Sequence, residues 1–179
     1  MSSSLLFGTF EVSRQAFFRT ATTAAIVNLK PIVPGHVLVI PTRVVPRISE
    51  LSPEEASSLF LSVQTVGRIV EKAYNADALT IACQDGKAAG QSVPHVHFHI
   101  LPRKLKGDHF VNNDDVYPEL ESHAQELQQA FRINAKSESE NSAPKTFAEN
   151  LKVDNEDRKP RSVEEMEREA SWLKGFMEG

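Results

Sequence analysis

Three histidines alternate with large apolar residues in the run His95-Val96-His97-Phe98-His99-Ile100-Leu101. Alternation of period two is the pattern of a half-buried β-strand. On such a strand the three imidazoles project from one face, roughly 6.5–7 Å apart at two strand rises each. Val96, Phe98 and Ile100 then point into a core. A row of imidazoles on a rigid element suits nucleophilic attack, phosphate binding or metal ligation. A lone histidine on an apolar face is usually a satisfied core residue. Three in strict alternation are harder to explain that way, because each buried ring needs its own hydrogen-bond partners.

Metal ligation and catalysis at phosphorus use such a row differently. Neutral imidazole is a common ligand of zinc and iron. The outer two histidines, however, stand roughly 13 Å apart at Cα by strand rise, too splayed to converge easily on one ion. A further ligand would come from elsewhere, and His36 is a candidate. Phosphorus chemistry needs no convergence. The middle imidazole attacks, and its neighbours donate hydrogen bonds to phosphate oxygens or to the leaving group. Fixed donors around the spread charge then do most of the catalytic work. The nucleophile's other ring nitrogen must be tied down, most simply by a backbone carbonyl, to fix its tautomer.

The elements around the row follow from local patterns. Asp85-Gly86-Lys87-Ala88-Ala89-Gly90-Gln91-Ser92 is a loop of small residues leading directly into it. Such a loop can offer backbone amides and short polar groups to an anion, although most loops of this kind only connect. Ala24–Asn28 and His36–Pro41 read as strands, separated by the turn signal of Lys30-Pro31-Ile32-Val33-Pro34-Gly35. Ser52-Pro53-Glu54-Glu55 carries an N-cap, a first-turn proline and a capping box. Behind it Leu59, Val63, Val66, Ile69 and Val70 form one helical stripe reaching about Tyr74. A strand at about Ala78–Gln84 follows, and a helix at about Glu119–Arg132. Residues 134–161 are dominated by Ser, Glu, Asn, Asp, Lys and Pro and read as a flexible polar linker or insertion. Ser162-Val163-Glu164-Glu165 is a second capping box, opening a helix with Met166, Ala170, Leu173 and Met177. The expected organisation is a catalytic domain at 1–133, the linker at 134–161, and a helix at 162–179 packing on the domain. The class is α+β with an antiparallel sheet.

Composition excludes several function classes. The chain has 179 residues and a formal net charge of −4. Mild acidity argues against a dedicated nucleic-acid binder, while leaving room for a local phosphate pocket. The one cysteine, Cys83, lies in an apolar run and reads as a buried strand thiol. It permits neither an intrachain disulfide nor a cysteine zinc site. No apolar run approaches a membrane span, and the N-terminus does not read as a secretory signal. The expectation is a cytoplasmic, or cytoplasmic and nuclear, protein without membrane or nucleic-acid partners.

The histidine row matches the histidine triad (HIT) motif, His-φ-His-φ-His-φ-φ, at every position. The phrases Asn28–Val39, Gln84-Asp85-Gly86, Ala89–Val93, Leu101-Pro102-Arg103-Lys104 and Asn113–Tyr117 resemble the fragile histidine triad (Fhit) branch. The likeness spans roughly Leu5–Arg132 and resumes in the last helix. It implies a HIT-like fold: a five-stranded antiparallel sheet with one long helix and a C-terminal helix, in a homodimer. It further implies a bis(5'-adenosyl)-triphosphatase, a hydrolase cleaving diadenosine triphosphate to AMP and ADP. By that resemblance His97 is the nucleophile and carries an adenylyl group. His99 lies near the phosphate and leaving group, and His95 and His36 support the network. Asn28, Gln84, Gly90, Gln91, Ser92, Val93 and His99 fall on nucleotide-binding positions. Magnesium or manganese is expected to enter on the substrate phosphates, with no tightly bound protein metal. Hint-like phosphoramidate hydrolysis is the alternative within the superfamily; aprataxin-like enzymes usually carry a zinc finger that one cysteine cannot supply. A nucleotide-binding signalling module with slow turnover is the alternative from another class. The 134–161 segment is longer than the minimal branch pattern. Thr9 and Phe10 compete for one position near the nucleotide, and Tyr117 falls where the branch carries a tyrosine associated with phosphorylation.

Overall fold

A computed structural model describes residues 4–137 and 160–177. Its centre is a five-stranded antiparallel sheet in the order β3-β4-β5-β7-β6. The strands are β3 (Ala16–Arg19), β4 (Thr23–Val27), β5 (Val37–Pro41), β6 (Ala78–Ala82) and β7 (Phe98–Arg103). A two-stranded hairpin, β1 (Leu6–Phe7) and β2 (Phe10–Glu11), precedes it. Every residue of β4 and β5 is buried. Strands covered on both faces read as continuous apolar runs, as these two do in the sequence. The α+β class and the sheet are as expected.

β7 begins at Phe98, later than the alternating run suggests. Its ladder pairs Leu38 with His99, Val39 with Phe98 and Val37 with Ile100. The amide of Val96 leaves this ladder and donates to the carbonyl of Val45 at 2.7 Å. His95 and His97 therefore ride on the approach to the strand, and only His99 lies within it. Cys83 likewise sits just past the end of β6 rather than inside it, half-buried, with burial pushing its thiol pKa up to about 11.

The helix α1 (Pro53–Tyr74) starts where the capping box places it, with the Ser52 hydroxyl and the Glu55 carboxylate each accepting the other's backbone N–H. Such a cap stabilises a helix by about 1 kcal/mol. Its buried stripe of Leu59, Val63, Val66, Ile69 and Val70 joins the main core. Phe60 packs edge-on against Phe98, with ring centroids 5.3 Å apart. Neighbouring strand residues face opposite ways, so α1 covers the face turned away from His99.

α2 (Val116–Ser137) is longer than the sequence reading at both ends. It follows a turn in which Asn112 and Asp115 satisfy each other's backbone. Its inward stripe is Val116, Leu120, His123, Ala124, Leu127 and Phe131. The expected linker is thereby trimmed: 134–137 continue α2, and Arg161 is anchored through its amide to the carbonyl of Leu29 at 2.9 Å. Residues 138–159 lie outside the described residues. α3 (Val163–Lys174) carries the second capping box and buries Met166, Ala170 and Leu173. Met177 does not belong to that stripe; it follows the helix and is exposed. Among the described residues, no helix is long and apolar enough to cross a membrane.

Candidate active site

Five of the six histidines are buried: His36, His95, His97, His99 and His123. β7 and its approach supply three, the start of β5 supplies His36, and α2 supplies His123. The rings of His97 and His99 are 5.0 Å apart, and those of His36 and His99 are 5.1 Å apart. His123 stands 5.1 Å from His36 and 5.6 Å from His99. The first four are the ones that the family resemblance grouped, and His123 lies beside them.

The hydrogen bonds determine which ring nitrogen carries each proton. The Nδ1–H of His97 donates to the carbonyl of His95 at 2.7 Å. A carbonyl only accepts, so Nε2 of His97 holds a lone pair. His95 accepts the amide of Gly8 at Nδ1, 3.0 Å, and donates from Nε2 to the carbonyl of Pro41, 2.9 Å. His36 accepts the amide of Ile32 at Nδ1, 3.1 Å, which leaves a proton on Nε2. That proton goes to Nδ1 of His99 at 2.9 Å. His99 must then carry its own proton on Nε2, and this buried atom has no hydrogen-bond partner. The result is one imidazole offering a lone pair and its neighbour offering an N–H, side by side.

Burial keeps the rings of His95, His97 and His99 neutral. It is the leading cause in each case, because a charged imidazole loses its hydration there. His95 is lowered to about 4, His97 is lowered, and His99 is lowered well below its ordinary value, its neighbouring imidazoles adding to the effect. A neutral nucleophile with a free lone pair is therefore present at neutral pH. His97 is only 2 % exposed. Phe7 packs edge-on against it at 5.2 Å and against Phe131 of α2 at 5.7 Å.

The expected nucleotide-binding residues fall in two groups. Gln84, Gly90, Ser92 and Val93 line the loop before the histidines. Gln84 Oε1 and Ser92 Oγ are buried without hydrogen-bond partners, like His99 Nε2. Orphaned buried polar atoms are costly, and a polar ligand would satisfy them. Gly90 has φ +88°, and a Cβ there would come within 2.7 Å of Gln84 Nε2, so only glycine lets this side chain lie against the loop. Gln91 turns inward, donating to the carbonyl of Pro46 at 2.9 Å and to that of His95 at 3.4 Å. It thus braces the carbonyl that orients His97. Asn28 is buried against His36, its Nδ2 lying 3.2 Å from Nε2.

Sequence reasoning missed His123, Gly8 and Phe7. His123 gave only the signal of a polar residue on a helical apolar stripe. Gly8 is required twice: it has φ +61°, and a Cβ would meet Val93 at 2.8 Å while its amide holds His95. Of the competing pair, Phe10 packs inward and stacks on Phe131 at 4.8 Å, and Thr9 is exposed. Among the described residues, no group of three or more His, Cys, Asp or Glu is arranged to hold a metal ion.

Comparisons with known proteins identify the family. The HIT domain model matches residues 9–106. A Schizosaccharomyces pombe protein named asymmetrical bis(5'-nucleosyl)-tetraphosphatase is 49% identical over 176 residues, covering 98% of this chain and 96% of the relative. The Arabidopsis thaliana protein named bifunctional bis(5'-adenosyl)-triphosphatase/adenylylsulfatase FHIT is 40% identical over 177 residues, covering 98% and 86%. Among solved structures, the Plasmodium falciparum diadenosine triphosphate hydrolase in complex with Cyclomarin A superposes with a TM-score of 0.63 at 26% identity, covering 99% of this chain and 86% of that one.

Proposed function

The chain belongs to the histidine triad (HIT) domain family, and from that premise we propose that it is a dinucleoside polyphosphate hydrolase working through a nucleotide held covalently on His97. The observation that carries the mechanism is the pairing of the His97 Nε2 lone pair with the His99 Nε2–H. Relatives named as triphosphatases and as a tetraphosphatase support the substrate class.

The reaction runs in two displacements. Nε2 of His97 attacks the α-phosphorus, the new P–N bond forms, and the bond from that phosphorus to the bridging oxygen breaks with its electron pair. With diadenosine triphosphate the leaving group is ADP. The N–H of His99 faces the developing negative charge, and in a dry site such a donor acts strongly. Because Nδ1 of His97 is tied to a carbonyl, the positive charge of the phosphorylated imidazole is shared with a fixed dipole. Water then attacks the same phosphorus, breaks the P–N bond and releases AMP. Nothing in this scheme is oxidised: the water's oxygen becomes the new phosphate oxygen of AMP, its protons pass to AMP and solvent, and the electron pair of the P–N bond returns to Nε2 of His97.

Magnesium or manganese arriving on the polyphosphate would neutralise part of its charge. The N–H of His99 and the Ser92 hydroxyl can serve phosphate oxygens, and in this reading the cation enters on the substrate. The second polymer partner we propose is another copy of the chain. β6 is an edge strand, paired only with β7 among the described residues, and Ile81 on it and Phe60 and Leu61 on α1 are exposed. Exposed edges and apolar side chains of this kind favour association. Sedimentation should give twice the monomer mass; a monomer would refute the dimer without touching the chemistry.

The reaction itself is tested with His97→Ala and a panel of dinucleoside tri- and tetraphosphates beside an adenosine phosphoramidate. The expected result is loss of turnover on the order of ten-thousand-fold or more, the scale on which removing a covalent nucleophile acts, with substrate binding kept. Turnover of the variant near the wild-type rate would refute the assignment.

A further inference from the structure

We infer that His123 is a positioning residue of this site, acting through Asn28 and His36 on His99; the inference rests on the function proposed above. His123 is 3 % exposed and belongs to α2, a separate element from the histidine strand. Its Nε2 lies 3.3 Å from Oδ1 of Asn28. That oxygen already accepts the amide of Lys30 at 3.1 Å, so the carboxamide is oriented with its oxygen toward these donors. Nε2 of His123 therefore donates the second hydrogen bond. With its oxygen occupied twice, Asn28 turns the donors of its Nδ2 to His36, whose unprotonated Nδ1 lies 3.4 Å away. His36 in turn sets the tautomer of His99, and with it the N–H aimed at the reacting phosphate.

The contacts around Asn28 agree. Glu126, three residues after His123 and on the same side of α2, pairs with the ammonium of Lys30. α2 thus grips the Asn28–Lys30 segment at two points. From the other side Arg161 donates from Nε to the carbonyl of Asn28 at 3.1 Å, and the same guanidinium pairs with Glu169, which accepts from the hydroxyl of Tyr74. A core histidine with no role in the site would need only some partner for its N–H. This one is bonded to the residue that abuts the His36–His99 pair, and it packs against both rings.

The test compares His123→Leu, which keeps bulk and loses the donor, with His123→Gln, whose amide can donate to Asn28 Oδ1 again. We expect H123L to lower kcat about tenfold, the effect of losing one orienting hydrogen bond, with KM within about twofold and thermal unfolding near wild type. H123Q should recover most of kcat. Wild-type kcat in H123L would overturn the inference, as would equal losses in both variants that track a fall in thermal stability. If H123L does not fold, H123A against H123Q is judged on the same criterion. A wild-type protein inactive on every dinucleoside polyphosphate would refute the proposed function instead. In that event nitrogen-15 NMR of the imidazoles tests the inference directly: the His36 and His99 signals should shift or broaden in H123A and stay near wild type in H123Q, and unchanged signals in H123A would overturn it.

Discussion

Two halves of one histidine cluster are held by different means. His95 and His97 are fixed by backbone atoms: the amide of Gly8 and the carbonyls of Pro41 and His95. His36, His99 and His123 lean on one another and on the side chain of Asn28, with the amides of Ile32 and Lys30 as backbone anchors for that group. Backbone partners are set by the fold and do not depend on other side chains. Side-chain partners form a chain in which each orientation depends on the next. The attacking group thus sits in the rigid half, and the group facing the phosphate charge sits in the half that other elements can tune.

That difference is open to mutation. After His97→Ala, the largest expected loss is from His99→Phe, which removes the N–H facing the phosphate: kcat should fall about a hundred- to a thousand-fold, the usual cost of deleting a donor aimed at developing charge. A loss below about tenfold, read in steady-state kinetics, would mean that this N–H does not face the reacting centre.

A double-mutant cycle comes next in size. His36→Phe should lower kcat about tenfold, and adding His123→Leu to it should cost little more, because both act through the same chain. His123→Leu combined with Gly8→Ala, which disturbs His95, should instead show additive losses. Additivity in the first pair would break the comparison between the two halves.

Stability against pH gives the smallest and broadest effect. The imidazoles of His95, His97 and His99 have lowered values, His95 to about 4. Below the ordinary value near 6.5 the unfolded chain binds protons that the folded chain refuses. Stability is therefore full above about pH 6.5 and falls as the pH drops toward 4, by on the order of 3 kcal/mol for His95 alone. Carboxylates such as Glu55, lowered to about 2 by Arg43 and its cap, act only below about 4.5. Denaturant unfolding at pH 7 and 5 should separate the two windows; equal stability at both would mean that the imidazoles are not held neutral.

Local pattern made much of this legible. The triad, the loop before it, both capping boxes and the two buried strands are written in spacings of two to four residues, and the fold kept them. His36 joined the catalytic network only through the family resemblance, because the 63 positions of sequence between it and His99 carry no local signal. His123 was hidden because a histidine among Leu120, Ala124 and Leu127 looks like helix core. Arg161 was hidden in a polar segment, yet it reaches Asn28 across 133 positions of sequence. The late start of β7 at Phe98 was equally unreadable, since it depends on where the amide of Val96 finds its partner.

The account turns on Nε2 of His97 as the atom that takes the nucleotide. Mixing the enzyme with substrate labelled in the adenosine, quenching in base to preserve the acid-labile P–N bond, and mapping the label to a peptide tests this directly. The account predicts one adenylyl group, on His97, appearing and decaying at rates compatible with kcat. A label on another residue, or full turnover by His97→Ala, would contradict it.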